Sequence, residues 1–274
     1  MTINIDSVDV LVWGGGTGGA AAAIQAARGG ASTLLLTPGP WLGGMVSAAG
    51  VCCPDGNELS PWQTGLWGAF LRELEQGEAE GLDQNWVSCF GYRPRTAETI
   101  LQNWLHQESR LLWWPGCQLL NVERAGSLIT GLRVEMEGEV RRVKCRVVID
   151  GSDRGDLLPL ADAPFRFGWE PQEQWHEPSA PSQQRLLTEP FFRDQPIQSP
   201  TWVVMGQLLS DQLTDHPQQD VHPSGSRLPA PFRGACDTFG LEKTITYGRL
   251  PSGLVMLNWP LHGNDWHRGL ERAF

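Results

Sequence analysis

Five glycines in six consecutive positions, Gly14-Gly15-Gly16-Thr17-Gly18-Gly19, constrain this chain more than any other feature. A segment with almost no side chains cannot fill a core. It serves where backbone must turn sharply or come close to something else. Before it, Val8 to Trp13 is a short apolar run with the pattern of a buried parallel strand. After it, AAAAIQAA predicts a helix of unusually small side chains, which stops at Gly29-Gly30, a pair able to supply a left-handed C-cap. Ser32 to Leu36 then reads as a second buried strand. Strand, glycine turn, helix and strand fit the roughly 30 residues of a βαβ unit.

Gly14, Gly16 and Gly19 satisfy the GxGxxG spacing. The first glycine lets the chain turn tightly off the strand, the second lets backbone amides approach a pyrophosphate, and the third lets the helix lie close to the sheet. The helix start adds unpaired N–H groups and a partial charge of roughly +0.5, which favours phosphate. The reading is dinucleotide binding on a Rossmann-type α/β fold. One element departs from the pattern. An Asp or Glu about 20 residues further on normally takes the ribose hydroxyls, but the second strand ends in Leu36-Thr37-Pro38. Thr37 is expected to bond a ribose oxygen there, more weakly because it is neutral.

Further along, Ser60-Pro61 predicts a helix start, with Leu66, Phe70, Leu71 and Leu74 on one face. Ala97, Ile100, Leu101, Trp104 and Leu105 trace the stripe of a second helix. QLLNVE, LITGLRVEM and EVRRVKCRVVID, separated by turn residues, predict a surface β-meander. Its last strand ends in the apolar Val147-Val148-Ile149, a return to the parallel sheet. Beyond about Phe167 prolines accumulate and periodicity fades, as in a long connection to a second region. TWVVMGQLL and ITYGRLPSGLVMLNWP are its best ordered parts. A length of 274 residues allows one large domain or two small ones, and a net charge of −10 argues against a nucleic-acid binder.

The segment DVLVWGGGTGGAAAAIQAARGGASTLLLTPGPWLGGM resembles the FAD-dependent oxidoreductase family that includes heterodisulfide-reductase-like and fumarate-reductase-like flavoproteins. Gly43-Gly44 in WLGGM matches the family's second glycine pair, near pyrophosphate and flavin, and the following AAGV fits as well. Asp150-Gly151-Ser152-Asp153-Arg154-Gly155-Asp156-Leu157 is similar to the family's D-x-T-x-x-G-D-L stretch, where the chain returns beside the cofactor. Asn258-Trp259-Pro260 and Gly263-Asn264-Asp265 look like its substrate-region signatures. The resemblance implies a Rossmann-type FAD-binding domain with a β-meander insertion over residues 1–167, then part of a mixed α+β substrate region over 168–274. It implies FAD held by Gly14, Gly15, Gly16, Thr17, Gly18, Gly19, Thr37, Trp41, Gly43, Gly44 and Met45. Leu119 lies where a strand residue packs near the adenine, and Asp150, Ser152 and Asp156 complete the expected set.

The implied activity is transfer of hydride or electrons between a small-molecule substrate and an acceptor, with no catalytic acid or base named. Members of the family are considerably longer and return late to a Gly-Asp cofactor contact, whereas this sequence stops at Phe274. The expectation is therefore a truncated or split version, completed by a partner chain or homo-oligomer; the rival is a flavin-fold remnant without activity of its own. An NAD-dependent dehydrogenase is disfavoured by the WLGG and DGSDRGDL matches.

Other residues have a plain reading beside a chemical one. Adjacent Cys52-Cys53 suggest a redox pair, but neighbouring cysteines bridge only in a strained ring, and packing is the preferred reading. His262, Asn264 and Asp265 are a polar group for proton transfer or a solvated loop. His176, His216 and His222 lie in proline-rich stretches without metal-ligand spacing, and no metal is expected. Arg93 and Arg95 offer an anion contact, with an exposed loop as the simpler account. Six cysteines without a CxxC pair, no apolar signal core at the start and no 20-residue apolar stretch predict a soluble cytoplasmic protein without a membrane span.

Overall fold

A computed structural model describes residues 6–55, 63–82, 85–208 and 230–259. Its first strand, β1 (Ser7–Trp13), leads through the glycine turn into helix α1 (Thr17–Arg28) and back to β2 (Thr33–Leu36). The two strands are parallel, with Val10 opposite Thr33 and Trp13 opposite Leu36. Helix α1 ends as its sequence requires, with Gly30 in the left-handed region at φ 92°. Its alanines Ala20, Ala23 and Ala27 are buried with Ile24, so the helix lies close against the strands.

Two further helices follow, α2 (Gly65–Gly77) and α3 (Pro94–Gln107). The latter buries Ala97, Ile100, Leu101, Trp104 and Leu105, all five residues of the predicted stripe. Helix α2 buries Phe70, Leu71 and Leu74, while Leu66 is only half-buried. Its described start is Gly65, with Thr64 at the N-cap; the predicted start at Ser60-Pro61 lies outside the described residues. The helices meet through aromatic edges: Phe70 packs T-shaped on both Tyr92 and Trp104.

A strand not anticipated from sequence, β3 (Leu111–Trp114), pairs in parallel with β2. The meander then runs β4 (Gln118–Ala125), β5 (Leu128–Met136) and β6 (Glu139–Asp150), with boundaries close to those read from the turn residues. Strand β6 has two partners. Its first half, to Lys144, runs antiparallel to β5, and from Lys144 onward it runs parallel to β1, with Asp150 opposite Trp13. The sheet order is therefore β3-β2-β1-β6-β5-β4. The meander folds over one face of the parallel strands: Leu132, Val134 and Val143 share a buried cluster with Leu11, Trp13, Leu34 and Leu36. Helix α1 covers the other face. Val147, in an apolar run that reads as buried, is 53% exposed, while Val148 and Ile149 are half-buried.

A short helix α4 (Leu157–Leu160) closes this part. Three more, α5 (Gln172–Trp175), α6 (Gln183–Thr188) and α7 (Pro190–Asp194), occupy the stretch that sequence left without periodicity. Ser182 caps α6 by accepting from the Arg185 amide, and Trp169 packs on Phe192. Strand β7 (Val204–Gln207) precedes helices α8 (Ala230–Phe239) and α9 (Leu241–Thr246), and strands β8 (Gly248–Arg249) and β9 (Leu254–Leu257) follow. A second sheet has the order β7-β9-β8, built from the two segments singled out in sequence. The described residues form two compact units. One contains those up to Pro164 with 205–208 and 245–257; the other contains 165–204, 230–244 and 258–259. In the second unit Trp259 stacks on Phe239 and donates Nε1–H to the Thr244 carbonyl. Among the described residues no helix is long and apolar enough to cross a membrane.

Candidate functional site: the glycine frame

Three glycine segments meet backbone to backbone at the C-terminal ends of β1 and β6. Gly14 sits at φ 98°, and a Cβ there would lie 2.5 Å from the Gly151 carbonyl carbon and the Ser152 nitrogen. A Cβ on Gly19 would overlap the Gly14 carbonyl oxygen, and one on Gly151 would lie 2.6 Å from the Gly19 Cα. The first and third glycines of the motif thus do what their spacing predicts, allowing a tight turn and close helix packing. The second pair docks on the first: Gly43 N–H donates to the Gly15 carbonyl at 2.7 Å, and the Thr17 hydroxyl donates to the Gly43 carbonyl at 2.9 Å. Gly43 reaches this position at φ 101°.

Within this frame the start of α1 is bare. Its N-cap is Gly16, with no side-chain cap and no acidic residue in the first turn. The first intrahelical bond runs from Ala20 N–H to the Gly16 carbonyl, so the N–H groups of Thr17, Gly18 and Gly19 precede any helical acceptor. Thr17 and Gly18 are exposed. A Cβ on Gly18 would meet nothing within 4 Å, and one on Gly16 would meet only Asp153 Oδ1 at 3.4 Å and the Gly151 carbonyl oxygen at 3.6 Å. The space outside these two glycines is open, and oriented amides with helix-dipole charge would favour an anion placed there.

The other predicted residues divide. Thr37 is buried, 1% exposed, and its hydroxyl is committed. It donates to the Gly39 carbonyl at 2.7 Å and accepts from the Trp113 indole N–H at 2.9 Å. Trp113, on the unanticipated strand β3, thus shares this hydroxyl with the Gly39 carbonyl. Trp41 is half-buried with the Arg95 guanidinium 5.7 Å above its ring, and Met45 is 62% exposed beside Gly44. Leu119 packs partly buried against the meander cluster. Asp150, Ser152 and Asp156 organise their own turn. Asp150 accepts from Ser152 N–H, Ser152 Oγ–H and Leu157 N–H, while Ser152 Oγ accepts from Asp156 N–H. Asp156 accepts the Trp13 indole N–H at 3.0 Å, tying the turn to β1.

Cys52 and Cys53 are both buried and are not joined in a disulfide. Burial, more than the neighbouring Cys53 and Glu78, pushes the Cys52 thiol far up from its ordinary value, the opposite of what a reactive thiolate needs. Arg93 pairs through Nε with the buried Glu78 at 2.8 Å. His176 caps α5 in the left-handed conformation on the surface. His216, His222, His262, Gly263, Asn264 and Asp265 lie outside the described residues, as does Pro260. Sequence reasoning missed Trp113 and Asp153. The first sits in a four-residue strand that no glycine motif adjoins, and the second reveals itself only where β6 brings its turn against Gly16.

A parallel β-α-β with glycine-framed bare amides at the helix start defines a nucleotide-binding protein of Rossmann type. The sequence matches the family described as FAD dependent oxidoreductase over residues 9–273, and the chain belongs to that family. No curated protein matches it. Among solved structures it is similar to a flavin-dependent brominase triple mutant, at 15% identity and a TM-score of 0.42, over 55% of this chain and 40% of that one. It is also similar to a geranylgeranyl bacteriochlorophyll reductase-like protein from Thermoplasma acidophilum, at 20% identity and a TM-score of 0.40, over 58% and 42%. A third is a mutant of the E. coli quinol fumarate reductase FrdA, at 14% identity and a TM-score of 0.38, over 53% and 32%. The chain thus spans about 40% of the length of the first of these structures.

Proposed function

We propose that the glycine frame binds the diphosphate of FAD and that the protein is a flavin-dependent oxidoreductase acting on a small-molecule substrate. One observation carries this reading: the bare first turn of α1, fenced by Gly14–Gly19, Gly43-Gly44 and Gly151, with open space outside Gly16 and Gly18. The residues present fit the cofactor, since a diphosphate needs several convergent N–H donors and no side chain in the way. Thr17, Gly18 and Gly19 would supply those donors, and Gly43-Gly44 would leave room on the flavin side. Asp150 and Ser152 would hold the returning turn in place rather than touch the ligand. Thr37 would act through the loop it anchors. When bound, FAD supplies hydride or electron transfer, and the protein contributes binding, orientation and electrostatics.

Residues 1–167 would then be the FAD-binding domain and 168–274 the substrate-region segment. The change of compact unit after Pro164 supports this division, while 205–208 and 245–257 join the first unit. Six cysteines outside any disulfide fit a reducing, cytoplasmic setting. Visible absorbance of the purified full chain tests the proposal. A yellow protein that releases FAD on denaturation is expected, and a colourless protein that added FAD does not reconstitute overturns it.

A further inference from the structure

Away from the glycine frame, the first compact unit contains a cavity of about 430 Å³ with a charge of each sign on its wall. Glu80, Gly81 and Leu82 reach it from the end of α2, Arg249 from β8, and Pro251, Ser252 and Gly253 from the β8–β9 turn. Leu208, after β7, completes the lining. Its volume lies within the range of small-molecule sites.

Two features of the wall stand out. Glu80 Oε2 accepts from the Ser252 N–H at 3.0 Å, which leaves Oε1 without a partner among the described residues. That bond steadies a turn in which Ser252 and Gly253 are both left-handed, at φ 62° and 72°. Such a conformation is costly for serine, and strain of this kind gathers at binding sites. The turn is held again by Gln207 Nε2 donating to the Ser252 carbonyl and by Leu208 N–H donating to the Gly253 carbonyl. Arg249, for its part, has no ion pair among the described residues, and none joins it to Glu80. Opposite charges lining one cavity attract, yet these two are held apart.

We infer that the gap takes a zwitterion, an α-amino acid with an apolar side chain. Its carboxylate would meet the Arg249 guanidinium, whose planar donors suit that group, and its ammonium would meet the free oxygen of Glu80. Leu82, Leu208 and Pro251 supply apolar surface for the side chain. This assignment does not rest on the flavin reading, because the cavity shares no residue with the glycine frame.

Calorimetric titration of the full chain with L-leucine, with and without saturating FAD, tests it. L-Leucine is expected to bind saturably. 4-Methylpentanoate, which lacks the ammonium, and 3-methylbutylamine, which lacks the carboxylate, are expected to bind at least about tenfold more weakly. Arg249→Gln should weaken L-leucine by a similar factor and leave 3-methylbutylamine unchanged, and Glu80→Gln should leave 4-methylpentanoate unchanged. Arg249 and Glu80 are both exposed, and Gln at position 80 keeps an oxygen able to accept from the Ser252 N–H, so neither change threatens the fold. Absence of saturable L-leucine binding, equal binding of either analogue, or indifference to both substitutions overturns the assignment. Failure of FAD to bind bears on the glycine frame alone.

Discussion

Gly16 and Gly19 belong to one motif, yet the structure separates what each is for. Alanine at position 19 would drive its Cβ into the Gly14 carbonyl, backbone against backbone, with no flexible side chain to yield. Gly19→Ala is expected to lower stability by about 1–3 kcal/mol, the usual cost of overpacking, read as a fall in the melting temperature. At Gly16 the nearest atom to a new Cβ is the Asp153 carboxylate oxygen at 3.4 Å, an ordinary contact. Gly16→Ala should therefore melt close to wild type while placing a methyl group before the amides. Asp153 leads to a prediction of opposite sign. Its exposed carboxylate beside Gly16 repels a diphosphate, so Asp153→Asn should tighten FAD binding, a few-fold by the scale of surface charge effects. An unchanged or weakened affinity in a fluorescence titration would place Asp153 elsewhere. At this scale the sequence made the glycines legible, because backbone clearance depends on spacing. It did not show that Thr37 bonds Trp113, since that depends on an indole from a strand 76 positions away.

Elements were legible where their period was long enough to count. The stripe of α3 and the turn residues of the meander fixed those elements closely. Strand β3, four residues long like β2, escaped because no glycine motif adjoins it, whereas the apolar end of β6 had already pointed to its return to the parallel sheet. The meander's packing on the parallel strands also has an electrostatic consequence. Burial raises the Cys117 and Cys145 thiols from 9.0 to about 11, with Arg141 partly opposing this at Cys117. A folded-state value above the unfolded one contributes stability that is complete below pH 9 and lost as pH climbs towards 11, because the unfolded thiols ionise first. Denaturant midpoints are expected to hold steady up to about pH 9 and then fall. The Cys117→Ser, Cys145→Ser double variant should lose part of that decline. A decline no shallower in that variant would mean that these thiols are not what the alkaline limb reports.

On the scale of the whole molecule, the chain joins a Rossmann-type frame to a second, smaller sheet within one compact unit, with the remaining described residues in another. Its net charge of −10 makes the positive end of α1 a local exception on an acidic protein. The proposed anion site offers oriented backbone amides, and a folded, FAD-bound protein should gain stability as ligand rises. At 100 times Kd the gain is about 2.7 kcal/mol. The sharpest check sets cofactor binding against backbone clearance at Gly16, a glycine whose substitution spares the fold. FAD is titrated into matched samples of wild type and Gly16→Ala, and bound flavin is read by fluorescence quenching alongside each protein's melting temperature. One FAD per wild-type chain, with affinity at least about tenfold weaker in a variant that melts normally, is the result expected from amides gripping a diphosphate. Equal affinity in both proteins, or no binding by well-folded wild type, would contradict it.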